Sequence, residues 1–123
     1  MIVDDSATVL MSLSAVLTKN GFTVATATDG QDALAKLGTV MPDLIICDIK
    51  MPRMDGIVFV QEVRKRAGLR FTPILMLTTV TDPAKRQAAK AAGATGWLVK
   101  PVTPDALLTV IRQVVVEAGP VPR

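Results

Sequence analysis

The chain contains no histidine. That absence excludes Ser-His-Asp catalysis, imidazole metal sites and any role as a phosphohistidine carrier. Cysteine is reduced to a single residue, Cys47, which rules out an internal disulfide and suits a reducing compartment. Its place in the apolar run Leu44-Ile45-Ile46-Cys47 makes it a small core side chain rather than a reactive thiol. Aromatic residues are scarce, three Phe and one Trp, so there is no stacking platform for bases. Net charge is +3, and the basic residues are scattered apart from Arg64-Lys65-Arg66 and nearby Arg70, which read as a solvated helix end. No nucleic-acid partner is expected. No run approaches the roughly 18–20 apolar residues that cross a bilayer, and no basic segment precedes an apolar one at the start. The expectation is a soluble, cytoplasmic protein without a membrane partner. A P-loop is excluded by the lack of GxxxxGK.

What is present is an alternation. The 123 residues, half of them apolar, suffice for one domain with one real core and not for a second output module. Short apolar runs alternate with amphipathic helical stretches, as a parallel sheet covered on both faces requires. Strands are expected at Met1-Ile2-Val3, from Thr23 to Ala27, from Leu44 to Cys47, from Ile74 to Leu77 and at Trp97-Leu98-Val99. The first helix is capped by Ser6, carries Val9, Leu10, Leu13, Val16 and Leu17 at helical spacing, and stops at Asn20-Gly21. Ala33, Leu34 and Leu37 mark the second helix, ending near Gly38, and Val58, Phe59 and Val63 are the inward face of the third. The fourth runs from about Asp82 to Gly93. The fifth starts with Thr103 as N-cap and Pro104 in its first turn, and buries Leu107, Leu108, Ile111 and Val115 before Gly119. The domain is expected over 1–119, with a disordered tail over 120–123. These units form a (βα)5 α/β fold, and a sheet order 2-1-3-4-5 would make it a doubly wound, three-layer sandwich.

In such sheets ligands sit beyond the carboxyl ends of the strands, where strand order reverses. Four signals fall at those ends: Asp4-Asp5, Asp48, Thr78 and Lys100-Pro101. With that strand order they converge on one pocket at strand spacings of roughly 4.8 Å. Three ionised carboxylates in one crevice repel, so either a proton is taken up or a hard cation neutralises them. Magnesium fits best, because it is content with one or two carboxylates, a carbonyl and water, and leaves positions open to phosphate oxygens. A carboxylate beside such an ion can attack a phosphoryl group. Lys100 then supplies the opposing cation and Thr78 a donor for the equatorial oxygens. A Lys-Pro pair after a buried strand also allows a cis peptide that would aim the ammonium inward.

The segments "IVDDS" (2–6), "DLIICDIKMPRMDG" (43–56), "ILMLTT" (74–79) and "AAGATGWLVKPV" (91–102) together give the chain a resemblance to response-regulator receiver domains. The chain resembles the stand-alone, CheY-like chemotaxis type in particular, and the likeness covers essentially the whole chain. The resemblance implies a flavodoxin-like fold, and a monomeric phosphoacceptor rather than an enzyme. Asp48 would be phosphorylated from a phosphohistidine of a partner histidine kinase, and both phosphorylation and its reversal would be self-catalysed. It implies Mg2+ held by Asp5, Asp48 and the main-chain carbonyl of Lys50, with Asp4 acting through water. Thr78 would bind the phosphoryl group and swing inward, Lys100 would pair with it, and Trp97 would change rotamer. The surface of helix four, strand five and helix five would then meet an effector, such as a flagellar-motor switch component, with a phosphatase as an optional partner. On helix four, Lys85, Arg86 and Lys90 suit an acidic partner segment.

Three positions depart from the family's usual pattern. Lys50 stands in place of a small polar residue, Val80 where acidic residues are common, and Trp97 where Tyr or Phe is usual. The first two flank the attacking water and bear on the acyl-phosphate lifetime. A flavin-binding flavodoxin shares the fold but needs a Ser/Thr/Gly-rich loop where this chain has Asp4-Asp5. An aspartyl phosphatase of the haloacid-dehalogenase type wants a second Asp where Lys50 stands. Within the resemblance, a diffusible switch, a phosphate sink for a shared kinase and a receiver excised from a larger regulator remain open, with the short tail favouring a single-domain protein.

Overall fold

A computed structural model describes residues 1–51, 54–78 and 83–117, the last three of these as backbone only. The elements follow one another as β1 (Ile2–Val3), α1 (Ala7–Lys19), β2 (Thr26–Ala27), α2 (Gly30–Lys36), β3 (Ile45–Asp48), α3 (Gly56–Arg64), β4 (Ile74–Thr78), α4 (Pro83–Ala92), β5 (Gly96–Val99) and α5 (Pro104–Glu117). The strands form one sheet in the order β2-β1-β3-β4-β5, with every pairing parallel. This is the flavodoxin-like doubly wound sandwich that the family resemblance implied, with the two-sided parallel sheet that the alternating pattern requires.

Alternate strand residues face opposite sides of the sheet, and each side has its own core. Ile45, Cys47, Ile74 and Met76 pack with Ala33, Phe59, Val60, Val63 and Ala89 of α2, α3 and α4. Ile46, Leu75 and Leu77 pack with Leu10, Leu13 and Leu17 of α1 and with Leu107, Ile111 and Val114 of α5. Burial on both faces explains why β3 and β4 read as unbroken apolar runs.

Helix starts follow their caps. Ser6 Oγ accepts from Val9 N at 3.3 Å, Asp29 Oδ1 from Asp32 N at 2.8 Å, Asp55 Oδ1 from Val58 N at 2.9 Å, and Thr103 Oγ1 from Ala106 N at 3.2 Å. α1 ends at Asn20, and Gly21 follows with φ of 90°, a conformation for which glycine has no steric cost.

Three expectations need correction. β2 does not begin at Thr23, because an edge strand can pair only as far as its neighbour runs, and β1 offers just Ile2 and Val3. Val58 does not face inward: it is 40% exposed, and the buried stripe of α3 is Gly56, Phe59, Val60 and Val63, at i, i+3, i+4 and i+7. Arg64 is not a solvated helix end, since its guanidinium donates to the carbonyls of Leu69 (2.8 Å), Thr72 (2.7 Å) and Gly93 (2.7 and 3.1 Å). Lys65, by contrast, is exposed and pairs with Glu62. Asp82, Val80, the side chain of Val115 and the segment 120–123 lie outside the described residues.

Candidate functional site

Sheet register builds the site. Val3 pairs with Cys47, so the next residues, Asp4 and Asp48, stand side by side at the carboxyl ends of β1 and β3. Asp48 pairs with Leu77 and Thr78 with Val99, which brings Thr78 and Lys100 to the same edge. The Lys100 N–H donates to the Thr78 carbonyl at 2.7 Å, tying the ends of β4 and β5 together. The Lys100-Pro101 peptide is cis.

One carboxylate oxygen from each of Asp4, Asp5 and Asp48 lies within 4.8 Å of the others. Asp4 and Asp48 are buried and Asp5 is exposed. Asp4 Oδ1 accepts from Ser6 N at 2.8 Å, while the buried Oδ2 takes no well-aligned hydrogen bond from a described residue. Its charged neighbour is Lys100, whose Nζ lies 3.0 Å away as an ion pair and donates to Asp48 Oδ2 at 3.2 Å. Burial, and then the charge of Asp4, raise the pKa of Asp48, against the opposing pull of Lys100 and the Lys50 N–H. For Lys100 burial works to lower the pKa, but its contacts with Asp4 and Asp48 outweigh it and the net shift is upward. The ammonium therefore stays charged.

Three carboxylates against one ammonium leave an excess of two negative charges when all are ionised. Together with the Asp4 oxygen lacking an aligned donor, that excess matches the charge and hard oxygen donors that a divalent ion such as magnesium takes. The donor set fits the ion.

Comparison with known proteins agrees with the geometry. The family model described as the response regulator receiver domain matches residues 1–112. The chain belongs to this family. A structure described as the chemotaxis response regulator CheY4 of Vibrio cholerae is 50% identical and superposes with a TM-score of 0.88, over 92% of this chain and 94% of that one. Protein PilG of Pseudomonas aeruginosa is 34% identical over 98% of this chain and 90% of its own length. The "Probable transcriptional regulator ycf27" of Guillardia theta is 41% identical over 93% of this chain, which spans only 44% of that protein.

In this receiver domain the structure brings Asp4, Asp5, Asp48 and Lys100 together, with Thr78 at the adjoining strand end. Lys50 is exposed, and its main-chain N–H donates to the Asp48 carboxylate. Trp97 is set back on β5, half-buried against α4. Cys47 is fully buried beside the site, and burial, then the carboxylates of Asp48, Asp4 and Asp55, push its thiol pKa well up, consistent with an inert core side chain. Gly56, the last residue of the segment 43–56, also supports the site directly. A side chain there would overlap the Asp48 carbonyl oxygen and come 2.9 Å from Ile49 Cα. The Asp55-Gly56 pair in front of an apolar helical stripe was the available signal, but the close approach arises from a segment seven residues upstream.

Proposed function

We propose that this receiver domain is a magnesium-dependent phosphoacceptor in a two-component relay, with Asp48 as the phosphorylated residue. The observation that carries the reading is the convergence of three carboxylates within 4.8 Å beside one half-buried ammonium. Asp5, Asp48 and the Lys50 carbonyl would hold the ion, and Asp4 would act through water. When bound, the ion neutralises the excess negative charge and draws phosphoryl oxygens into the crevice.

An Asp48 carboxylate oxygen attacks phosphorus of a phosphohistidine on a partner kinase. The O–P bond forms as the P–N bond breaks, and the electron pair stays with the departing imidazole. Lys100 already touches Asp48 and neutralises charge on the transferred group, while the Thr78 hydroxyl donates to one of its oxygens. The phosphoryl group adds about −1.5 to −2 of charge and new acceptors, favouring the state in which Thr78 and Lys100 close on it. Drawing Thr78 inward makes room for Trp97 to turn, reshaping the surface of α4, β5 and α5 for an effector protein.

Coverage of 94% of a chemotaxis regulator and of 90% of PilG supports a stand-alone switch, with a chemotaxis effector as partner. The partial span of ycf27 supports the second reading, a receiver that works within a longer regulator. The test of the acceptor is incubation with acetyl phosphate and magnesium, read by intact mass and Trp97 fluorescence. The parent gains one phosphoryl group with a change in emission, and Asp48→Asn gains none. Equal labelling of Asp48→Asn removes Asp48 from the role.

A further inference from the structure

On the α4 side of the sheet, the Arg86 guanidinium carbon sits 4.9 Å from the centroid of the Trp97 ring. The Nε of Arg86 is buried and has no hydrogen-bond partner among the described residues. A donor that gives up water normally finds an oxygen, since leaving it unmatched is costly. Here the ring face takes that place, offering the negative lobe of its quadrupole to the cation. Arg86 belongs to α4 and Trp97 to β5, so one contact joins the helix and the strand that flank the switch surface.

We propose that Arg86 is a positioning residue that latches Trp97 in its resting orientation, resting on the reading of Trp97 as the mobile aromatic. For the ring to turn toward Thr78 it must leave the cation, so the contact exists in one orientation and is lost in the other. A contact made in only one of two states weights that state by its own strength. For a cation–π pair the weight is about two- to thirty-fold. The latch opposes inward rotation before phosphorylation and lowers the background of switched molecules. Because the cation is carried by α4, releasing the ring also removes one tie between that helix and β5, which links the aromatic to the docking surface.

Trp97 is the only tryptophan, so the full chain made with 5-fluorotryptophan reports this side chain alone. Fluorine relaxation dispersion on the unphosphorylated protein reads the population of the minor orientation. Arg86→Gln keeps part of the stem without the charge and raises that population about two- to thirty-fold. Arg86→Lys keeps a cation over the ring and falls between Arg86→Gln and the parent. Equal populations in the parent and Arg86→Gln overturn the latch, as does a loss of melting temperature in Arg86→Gln with the populations unmoved. Labelling by acetyl phosphate and magnesium, scored by mass, judges the phosphoacceptor reading separately. Labelling with unmoved populations sinks the latch alone, and absent labelling sinks the acceptor while the fluorine populations still judge the latch.

Discussion

Asp48 carries the energetic tension of the site. Burial and the neighbouring Asp4 raise its pKa in the folded state, so the folded protein holds a proton on it more readily than the unfolded chain. Ionising it near neutral pH therefore costs stability. Asp48→Asn is expected to raise the melting temperature at neutral pH without divalent ions. The gain should vanish below about pH 4, where the parent carboxyl is protonated in both states. Thermal melts of the two proteins across that range, without divalent ions, check both parts. Gly56 is the opposite case, a residue that matters for what it lacks. Gly56→Ala must push the Asp48 carbonyl and the Ile49 backbone aside and is expected to cost about 1–3 kcal/mol in a denaturant titration, and to slow acetyl phosphate labelling as the acceptor shifts.

Among the elements, α3 shows where periodicity informs and where it stops. The apolar positions announce a helix, but Val58 and Val60 compete for the same inward stripe, and only the observed phase puts Val60 inside. Arg64, at the last turn of α3, has the composition of a surface residue. Its role depends on three carbonyls from the α3–β4 and α4–β5 connections, and the Gly93 carbonyl is 29 residues away along the chain. Local sequence holds no sign of such a partner. Arg64→Ala leaves these carbonyls short of donors and is expected to cost about 2–4 kcal/mol. Arg64→Lys should recover only part of it, because an ammonium cannot reproduce the guanidinium fork. Denaturant midpoints of the three proteins test the order. At the end of β4, Thr78→Ala is expected to leave acetyl phosphate labelling detectable while abolishing the Trp97 emission change that follows it.

For the whole molecule, the acidic crevice makes stability depend on divalent ions. A ligand that binds the folded state alone stabilises it by about 2.7 kcal/mol at a hundredfold excess over its dissociation constant. Magnesium should therefore raise the melting temperature of the parent by roughly 10 °C at that excess. Asp5→Ala should need more magnesium for the same shift, and sodium at equal ionic strength should not substitute. Melting curves against magnesium concentration, with and without Asp5, decide this. Among the described residues no helix is long and apolar enough to cross a membrane.

Residue types and their short-range order were enough to determine the five strand-helix units, the caps at Ser6 and Thr103, the burial of β3 and β4, and the polar residues at the strand ends. Each of these depends on interactions within a few residues, or on the simple count of buried faces. The tertiary structure alone decided the length of β2, the phase of α3, the fixing of Arg64, the demand for glycine at position 56 and the cation over Trp97. These depend on pairing register and on atoms brought together from distant segments. Strand ends are local properties, whereas the 4.8 Å convergence of carboxylates from β1 and β3 exists only once the sheet has chosen its order.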